Sequence, residues 1–140
     1  MGHKIVPDVI HSRKVVHLKG EASVRQAARL MRKHNVGSVL IMENKRLEGI
    51  LTVADMAYRV VAEGREPDKT TLNEVMTAGP DTIGPDTTAI DALRLMQDGG
   101  YRHLPVVKGA AVLGVVSRRD FQGTEKARLD EETSLWERIG

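Results

Sequence analysis

Two stretches of the sequence place a hydroxyl and a carboxylate three residues apart, directly after a run of aliphatic residues. They are Ser117 and Asp120 and, 65 residues earlier, Thr52 and Asp55. Each stretch is typical of a buried strand that turns directly into a helix. At such a helix start the two side chains can satisfy free backbone amides in a capping box, which needs no ligand. The chemistry open to these residues is therefore hydrogen bonding, either within the chain or to a bound molecule.

Arginines distinguish the later stretch from the earlier one. Arg118 and Arg119 fill the two positions between the hydroxyl and the carboxylate, whereas Val53 and Ala54 fill them in the earlier stretch. Cations at a helix start oppose the helix dipole, so they either extend into solvent or accompany an anionic partner. The residue types therefore favour an anion at the later stretch.

The two stretches belong to a longer internal repeat. The offset of 65 residues runs without a gap between residues 16–56 and 81–121, with few identities. Matching helix signals are stronger evidence than identity. Ser23 and Thr88 each begin a possible capping box. Asn35 and Gly100 hold equivalent positions at which a left-handed residue can end a helix. Two copies of one supersecondary unit are therefore predicted.

Each copy is predicted to contain a short opening piece, a strand, a helix, two strands joined by a turn, and a second helix. In copy one the second helix is predicted over 52–63, and in copy two we expect Gly123 to interrupt it. The first helix of each copy carries apolar residues at helical spacing, and we expect that face to be buried. The residues of these faces are Val24, Ala27, Ala28 and Met31 in copy one, and Ala89, Ala92, Leu93 and Met96 in copy two.

The predicted boundaries are 5–64 for the first repeat, 71–123 for the second and 124–140 for a C-terminal helical tail. We expect the tail, which carries Trp136, to dock on the body or on another subunit. A copy of about 55 residues is too small to bury a robust core alone. We therefore predict an α/β (α+β) fold in which two pseudo-twofold related copies pack against each other.

Composition argues against several classes of function. The chain has 140 residues, no cysteine and a formal net charge of +2, so disulfides and thiolate metal sites are excluded and nucleic-acid binding is not favoured. With no membrane span and no apolar signal stretch, we predict a cytoplasmic protein. Its five histidines show no metal-ligand spacing, and we find no nucleophile with a positioned base. We therefore predict neither a metal site nor catalysis.

The repeat resembles the cystathionine-beta-synthase (CBS) domain pair, also called a Bateman module. In that family each third strand ends in Gly-h-h-(Ser/Thr)-x-x-Asp, which residues 49–55 and 114–120 both match, and Leu-Pro-Val-Val at 104–107 fits the preceding strand. The resemblance covers about residues 5–123. It implies a tandem fold of strand, helix, strand, strand and helix. It also implies a regulatory sensor that binds AMP, ADP, ATP, NAD or S-adenosylmethionine in clefts between the repeats.

The resemblance also assigns roles to the paired hydroxyls and carboxylates. Asp120 and Asp55 would accept hydrogen bonds from ribose hydroxyls, since an ionised carboxylate can accept from both. Ser117 and Thr52 would face ribose or phosphate, because free amides and the helix dipole favour an anion at a helix start.

The remaining implied contacts are concentrated in copy two. Arg118 and Arg119 would supply positive charge to a phosphate. The base and sugar pocket of copy two would be lined by Thr82, Ile83, Pro85, Tyr101, Arg102, His103 and Pro105. The equivalent positions in copy one hold His17, Leu18, Gly20, Val36, Gly37 and Ser38. Because copy one lacks the charged residues of copy two, we expect one competent site in copy two and a weaker or empty one in copy one.

Two classes of function follow from the resemblance. The first is a non-enzymatic regulatory module that binds an adenine nucleotide, with AMP as first choice. Such a module requires no cofactor and regulates a protein carried by another polypeptide. The second is a structural module for oligomerisation that has no small-molecule ligand. A homodimer is compatible with both, because CBS pairs often associate in twos. No contact with nucleic acid or membrane is expected in either case.

Overall fold

The computed structural model describes residues 4–6 and 15–121, which form two compact units. The first unit consists of residues 15–80, and the described part of the second consists of residues 4–6 and 81–121. Most of the predicted opening piece of copy one and the whole predicted tail, 124–140, lie outside the described residues. Within the described ranges, no helix is long and apolar enough to cross a membrane.

The first unit is built on a four-stranded sheet in the order β1-β2-β3-β4. β1 runs parallel to β2, and the other neighbouring pairs are antiparallel. The strands are β1 His17–Leu18, β2 Ser38–Glu43, β3 Arg46–Thr52 and β4 Thr77–Ala78. The helices are α1 Val24–His34, α2 Val53–Met56, a π-helical turn Ala57–Val61 that continues α2, and α3 Leu72–Val75.

The second unit contains the equivalent hairpin and helix. α4 spans Ala89–Gly99, β5 spans His103–Lys108 and β6 spans Ala111–Ser117, which is followed by a single 3-10 turn, Arg118–Asp120. β5 and β6 pair antiparallel. The extended residues before α4 lie beside this hairpin, since Ile83 forms a parallel bridge with Val106.

The two hairpins have the same register, as the repeat predicts. Ser38 lies opposite Thr52 in the first unit, and His103 lies opposite Ser117 in the second. The first hairpin turns through Asn44 and Lys45 at φ 51° and 66°. Two consecutive residues at positive φ produce the backbone twist that suits a two-residue hairpin loop. The hydroxyl at the end of each second hairpin strand therefore has a fixed neighbour on the adjacent strand.

Both helix ends predicted from Asn35 and Gly100 are confirmed, with φ of 52° and 73°. The capping box at the start of α1 is also confirmed: Ser23 Oγ accepts from Gln26 N–H at 3.1 Å, and Gln26 Oε1 accepts from Ser23 N–H at 2.8 Å.

Only half of the second predicted box is present at the start of α4. Thr88 Oγ1 accepts from Asp91 N–H at 3.3 Å, whereas the Asp91 carboxylate pairs with Arg94 at 3.1 Å. The reciprocal bond predicted at Thr88 was therefore wrong, because the carboxylate has a cationic partner within its own helix.

The hydrophobic cores exchange the opening segments of the repeats. Ile5, which opens copy one in sequence, is fully buried in the core of the second unit. Leu72 and Val75, which open copy two, are buried in the core of the first unit. Each unit thus completes its core with a segment of the other repeat, as expected for repeats that are individually too small.

The buried face predicted for α1 was wrong at one residue. Ala28 is exposed, because the buried stripe of α1 contains only Val24, Ala27 and Met31. The equivalent Leu93 is buried, as predicted.

The helices predicted after the third strands also differ from expectation. In copy one, regular α-helix ends at Met56 and a π-helical turn follows. In copy two the helical turn ends at Asp120, before Gly123, because Phe121 is extended (φ −80°, ψ 141°) and its side chain is buried in the core of the second unit.

Candidate functional site

The first of the two predicted sites, here called the Asp55 corner, lies where β3 ends and α2 begins. Thr52 has an extended backbone and its N–H donates to Asp55 Oδ2 at 2.9 Å. In return, Asp55 N–H donates to Thr52 Oγ1 at 3.2 Å. This reciprocal pair is a complete capping box, so the capping role predicted for the pair is confirmed in the first unit.

A guanidinium also contacts the Asp55 corner. Arg59 Nη2 lies 3.6 Å from Asp55 Oδ1, and the Asp55 side chain is only 17% exposed. Arg59 Nη1 donates to the carbonyl oxygen of Val75 at 2.9 Å. Our sequence reasoning missed Arg59, although an acid followed four residues later by a base is a readable helix signal.

The second site, here called the Asp120 corner, repeats the arrangement where β6 meets the 3-10 turn. Ser117 N–H donates to Asp120 Oδ2 at 2.7 Å. Arg118 N–H donates to the carbonyl oxygen of Arg102 at 2.9 Å, which places the backbone of these two arginines side by side. Arg118 and Asp120 are half-buried, whereas Arg119 is exposed. The structure therefore brings the predicted hydroxyl, carboxylate and arginines together at one end of the hairpin.

The extended stretch before α4 lies against β5 and holds three of the predicted lining residues. Ile83 N–H donates to the Pro105 carbonyl at 3.0 Å, and Val107 N–H donates to the Ile83 carbonyl at 2.8 Å. Ile83 and Pro105 are buried, Pro85 is half-buried and Thr82 is exposed. His103 is half-buried and lies opposite Ser117, and Arg102 is exposed. Of these residues, Arg102 and His103 are joined to the Asp120 corner by the backbone pairing of the hairpin.

Tyr101 is held in place by two contacts within the second unit. Its hydroxyl donates to Asp81 Oδ2 at 2.5 Å. A Cβ added at Gly99 would come within 2.2 Å of the Tyr101 ring, so this close approach requires glycine. The hydrogen bond to Asp81, followed by the charge of that carboxylate, raises the pKa of Tyr101 above its usual value. Sequence reasoning missed Asp81 as the partner of Tyr101.

The equivalent positions in the first unit contact other parts of that unit. Val16 and Val36, which correspond to Asp81 and Tyr101, pack against the hydrophobic core. A Cβ added at Gly20 would lie 2.0 Å from the Asn73 side chain, so this glycine allows α3 to approach. Of the other predicted positions, His17 is exposed, Leu18 and Gly37 are half-buried, and Ser38 is buried. The first unit therefore lacks the polar Asp81–Tyr101 pair of the second.

Among residues 4–6 and 15–121, no cluster of three or more His, Asp or Glu side chains could hold a metal ion.

The CBS domain family model matches residues 6–62 and 72–123. The chain belongs to this family, and the predicted tandem CBS fold is confirmed. It is 39% identical over 98 residues to the CBS domain-containing protein CBSCBSPB2 of Arabidopsis thaliana, a match that covers 70% of this chain. The chain spans less than a fifth of that plant protein (18%).

Shorter relatives are covered more completely. The CBS domain-containing protein YhcV of Bacillus subtilis is 34% identical over 108 residues, which cover 77% of this chain and 76% of that protein. Among solved structures, the CBS domain protein PAE2072 from Pyrobaculum aerophilum, complexed with AMP, superposes with a TM-score of 0.74. That match has 26% identity and covers 85% of this chain and 93% of PAE2072.

Proposed function

We propose that the chain is a regulatory CBS-pair module that binds an adenine nucleotide, AMP first, at the Asp120 corner and has no catalytic activity of its own. The observation that carries this proposal is the position of Asp120, whose carboxylate is fixed by Ser117 N–H in the 3-10 turn that also contains Arg118 and Arg119. The AMP complex of the similar protein from Pyrobaculum aerophilum supports the ligand class.

The chemistry of the corner suits ribose and phosphate. A carboxylate offers about four acceptor positions on its two oxygens, so the bond from Ser117 N–H is compatible with accepting from ribose hydroxyls. Guanidinium groups match phosphate in geometry and charge. The Tyr101 ring, which Gly99 and Asp81 position, supplies a rigid wall for the base or sugar.

The ligand would act by shifting an equilibrium between two states of the module. It can do so only to the extent that it binds one state more tightly than the other. What the module regulates lies outside these 140 residues, and we place the module in the cytoplasm. Other adenosine-containing ligands, namely ADP, ATP, NAD and S-adenosylmethionine, are the competing effectors.

Calorimetric titration of these five ligands tests the proposal. AMP should bind the wild-type protein, and Asp120→Ala should abolish its binding while leaving the fold largely intact. Asp91→Ala is the matched control, because it removes another carboxylate from the first turn of a helix in the second unit. The Asp91 carboxylate pairs with Arg94, whereas that of Asp120 accepts from Ser117 N–H at the end of the hairpin. Normal AMP binding by Asp120→Ala would show that the site is assigned wrongly.

A structural oligomerisation module without a ligand is the second candidate function, and one observation favours it. Val53, Tyr58 and Val61 are exposed by 56%, 73% and 72% along α2 and the π-helical turn. Large apolar side chains exposed along one short helical segment suit a contact between subunits. We propose that this face forms a homodimer, which is compatible with either function.

Sedimentation analysis of Tyr58→Glu tests the dimer. A buried glutamate without a partner is costly at an apolar interface, so the variant should sediment as a monomer where the wild type is a dimer. The two functions are then separated by ligand binding. If none of the five adenosine-containing ligands binds the dimeric wild type, the structural module is the better account.

A further inference from the structure

In the first unit a guanidinium already contacts the carboxylate that would hold a ribose. Asp55 Oδ2 accepts from Thr52 N–H at 2.9 Å, and Arg59 Nη2 lies 3.6 Å from Asp55 Oδ1. Both oxygens of this carboxylate therefore have a partner within the chain. The Asp55 side chain is only 17% exposed, so solvent weakens its ion pair less than it weakens a pair on the open surface.

Arg59 is fixed from a second direction. Its Nη1 donates to the carbonyl oxygen of Val75, the last residue of α3, at 2.9 Å. The guanidinium is a planar group whose donors have a fixed geometry, so a bond at one nitrogen restricts where the other nitrogen points. Arg59 thus links the Asp55 corner to the end of α3.

The backbone that carries Arg59 is also unusual. Ala62 N–H donates to the Ala57 carbonyl at 2.9 Å, a bond five residues apart that defines a π-helical turn around Arg59. Such turns are rare and are frequent at functional sites. Arg59 therefore lies in a backbone conformation that is typical of functional sites.

At the same offset of 65 residues, the sequence of the second repeat has no arginine to match Arg59. Sixty-five residues after Arg59 the sequence has Thr124, which lies outside the described residues. Threonine is uncharged, so residue 124 cannot provide the ion pair that Arg59 gives Asp55. The two corners therefore differ in sequence at the residue that contacts the first carboxylate.

We propose that Arg59 closes the Asp55 corner to nucleotides by taking the carboxylate oxygen that would otherwise accept from ribose. The chain then binds one adenine nucleotide tightly at the Asp120 corner, while Arg59 occupies the ribose position of the Asp55 corner. This inference rests on the proposed function for its ligand class. It adds a residue that determines how many nucleotides the chain binds.

Adenosine and AMP titrated into four proteins test this proposal: wild type, Arg59→Gln, Asp120→Ala and the double variant. The wild type should bind one nucleotide per chain. Arg59→Gln should bind two, and the double variant should bind one. Affinity at the Asp55 corner should rise about tenfold, the order expected when a competing charged contact is removed. Adding Asp55→Asn to the double variant should abolish its remaining binding.

Adenosine distinguishes a blocking arginine from one that binds phosphate. If Arg59 blocks the ribose position, Arg59→Gln strengthens adenosine and AMP binding alike at the Asp55 corner. If Arg59 instead binds phosphate, the variant weakens AMP and leaves adenosine unchanged, which would overturn the proposal.

Controls separate this proposal from the proposed function. Arg46→Gln is the matched charge control, because Arg46 is an exposed arginine of the same unit that pairs with Glu48 at 3.4 Å. It should leave the stoichiometry at one. An unchanged stoichiometry in a folded Arg59→Gln protein overturns the inference while Asp120-dependent binding still supports the proposed function.

A wild type with no Asp120-dependent binding would instead overturn the proposed function. The double variant then still tests the role of Arg59. AMP binding that Asp55→Asn abolishes would support the proposal, and no such binding would overturn it. Arg59→Met, which keeps the apolar stem, repeats the measurement if Arg59→Gln does not fold.

Discussion

Replacing Asp120 with asparagine separates the two roles open to its carboxylate, helix capping and ligand binding. Asparagine keeps a carbonyl oxygen that can accept from Ser117 N–H, which donates to Asp120 Oδ2 at 2.7 Å. It loses the negative charge, and charge assistance accounts for about half the strength of such a bond. The free energy of unfolding should therefore fall by only about 1 kcal/mol.

The nucleotide should lose more than the fold does. A ribose would donate two hydrogen bonds to the carboxylate, and bonds to charged groups contribute about 1.5–3 kcal/mol each. Losing the charge assistance of both bonds costs roughly 1.5–3 kcal/mol of binding free energy, or about 10- to 150-fold in Kd. Urea unfolding measures the stability and calorimetry measures the Kd of the same Asp120→Asn protein.

Asp55→Asn is the matched control, because Asp55 caps Thr52 in the same way at 2.9 Å. It should also lower the free energy of unfolding, since Arg59 loses its anionic partner. Its affinity for AMP at the Asp120 corner should stay within about twofold of the wild type. The reasoning would be refuted if Asp120→Asn bound AMP as tightly as the wild type does, or if both variants lost the same affinity for AMP.

Three further outcomes are expected. Leu72→Ala should lower the free energy of unfolding by about 2–5 kcal/mol and the melting temperature by roughly 10 °C, because Leu72 is fully buried in the first unit. The control variant Asn73→Ala changes an exposed neighbour and should cost less stability. Equal losses of stability would contradict the burial of the opening segment of copy two in the first unit. Asp81 raises the pKa of Tyr101, so the stability from this pair is present below pH 10 and declines as the pH rises further. Urea unfolding should show this loss of stability in the wild type and not in Tyr101→Phe. If the stability of both proteins changed with pH in the same way, the pair would contribute no such loss. Arg118→Ala should weaken AMP more than adenosine in calorimetry, whereas equal losses would mean that Arg118 does not contact phosphate.

The sequence predicts the local geometry of both corners because the signals are local. A hydroxyl three residues before a carboxylate encodes the Thr52–Asp55 box, and the 65-residue offset carries the same geometry to Ser117 and Asp120. The hairpin registers follow for the same reason, since turn length and alternation fix them.

Contacts between distant segments could not be predicted in this way. Ile5 and Leu72 are apolar in either core, and no local pattern tells which unit buries them. The Tyr101–Asp81 bond joins residues 20 apart that no helix or turn spacing relates.

Within α1, the period of 3.6 residues left Ala28 at the edge of the predicted face, and a small side chain carries little hydrophobic driving force to decide its position. The Asp55–Arg59 ion pair could have been predicted from its spacing. The bond from Arg59 to the Val75 carbonyl could not, because these residues are 16 apart and no helix or turn spacing relates them.

The most direct test of the central claim is the chemical-shift map of the ¹⁵N-labelled protein as AMP is added. The account predicts saturable shifts of the amides of Ser117, Arg118 and Asp120, with Thr52 and Asp55 unaffected at the same AMP concentration. Shifts confined to Thr52 and Asp55, or no saturable shift at either corner, would contradict the assignment of the nucleotide to the Asp120 corner.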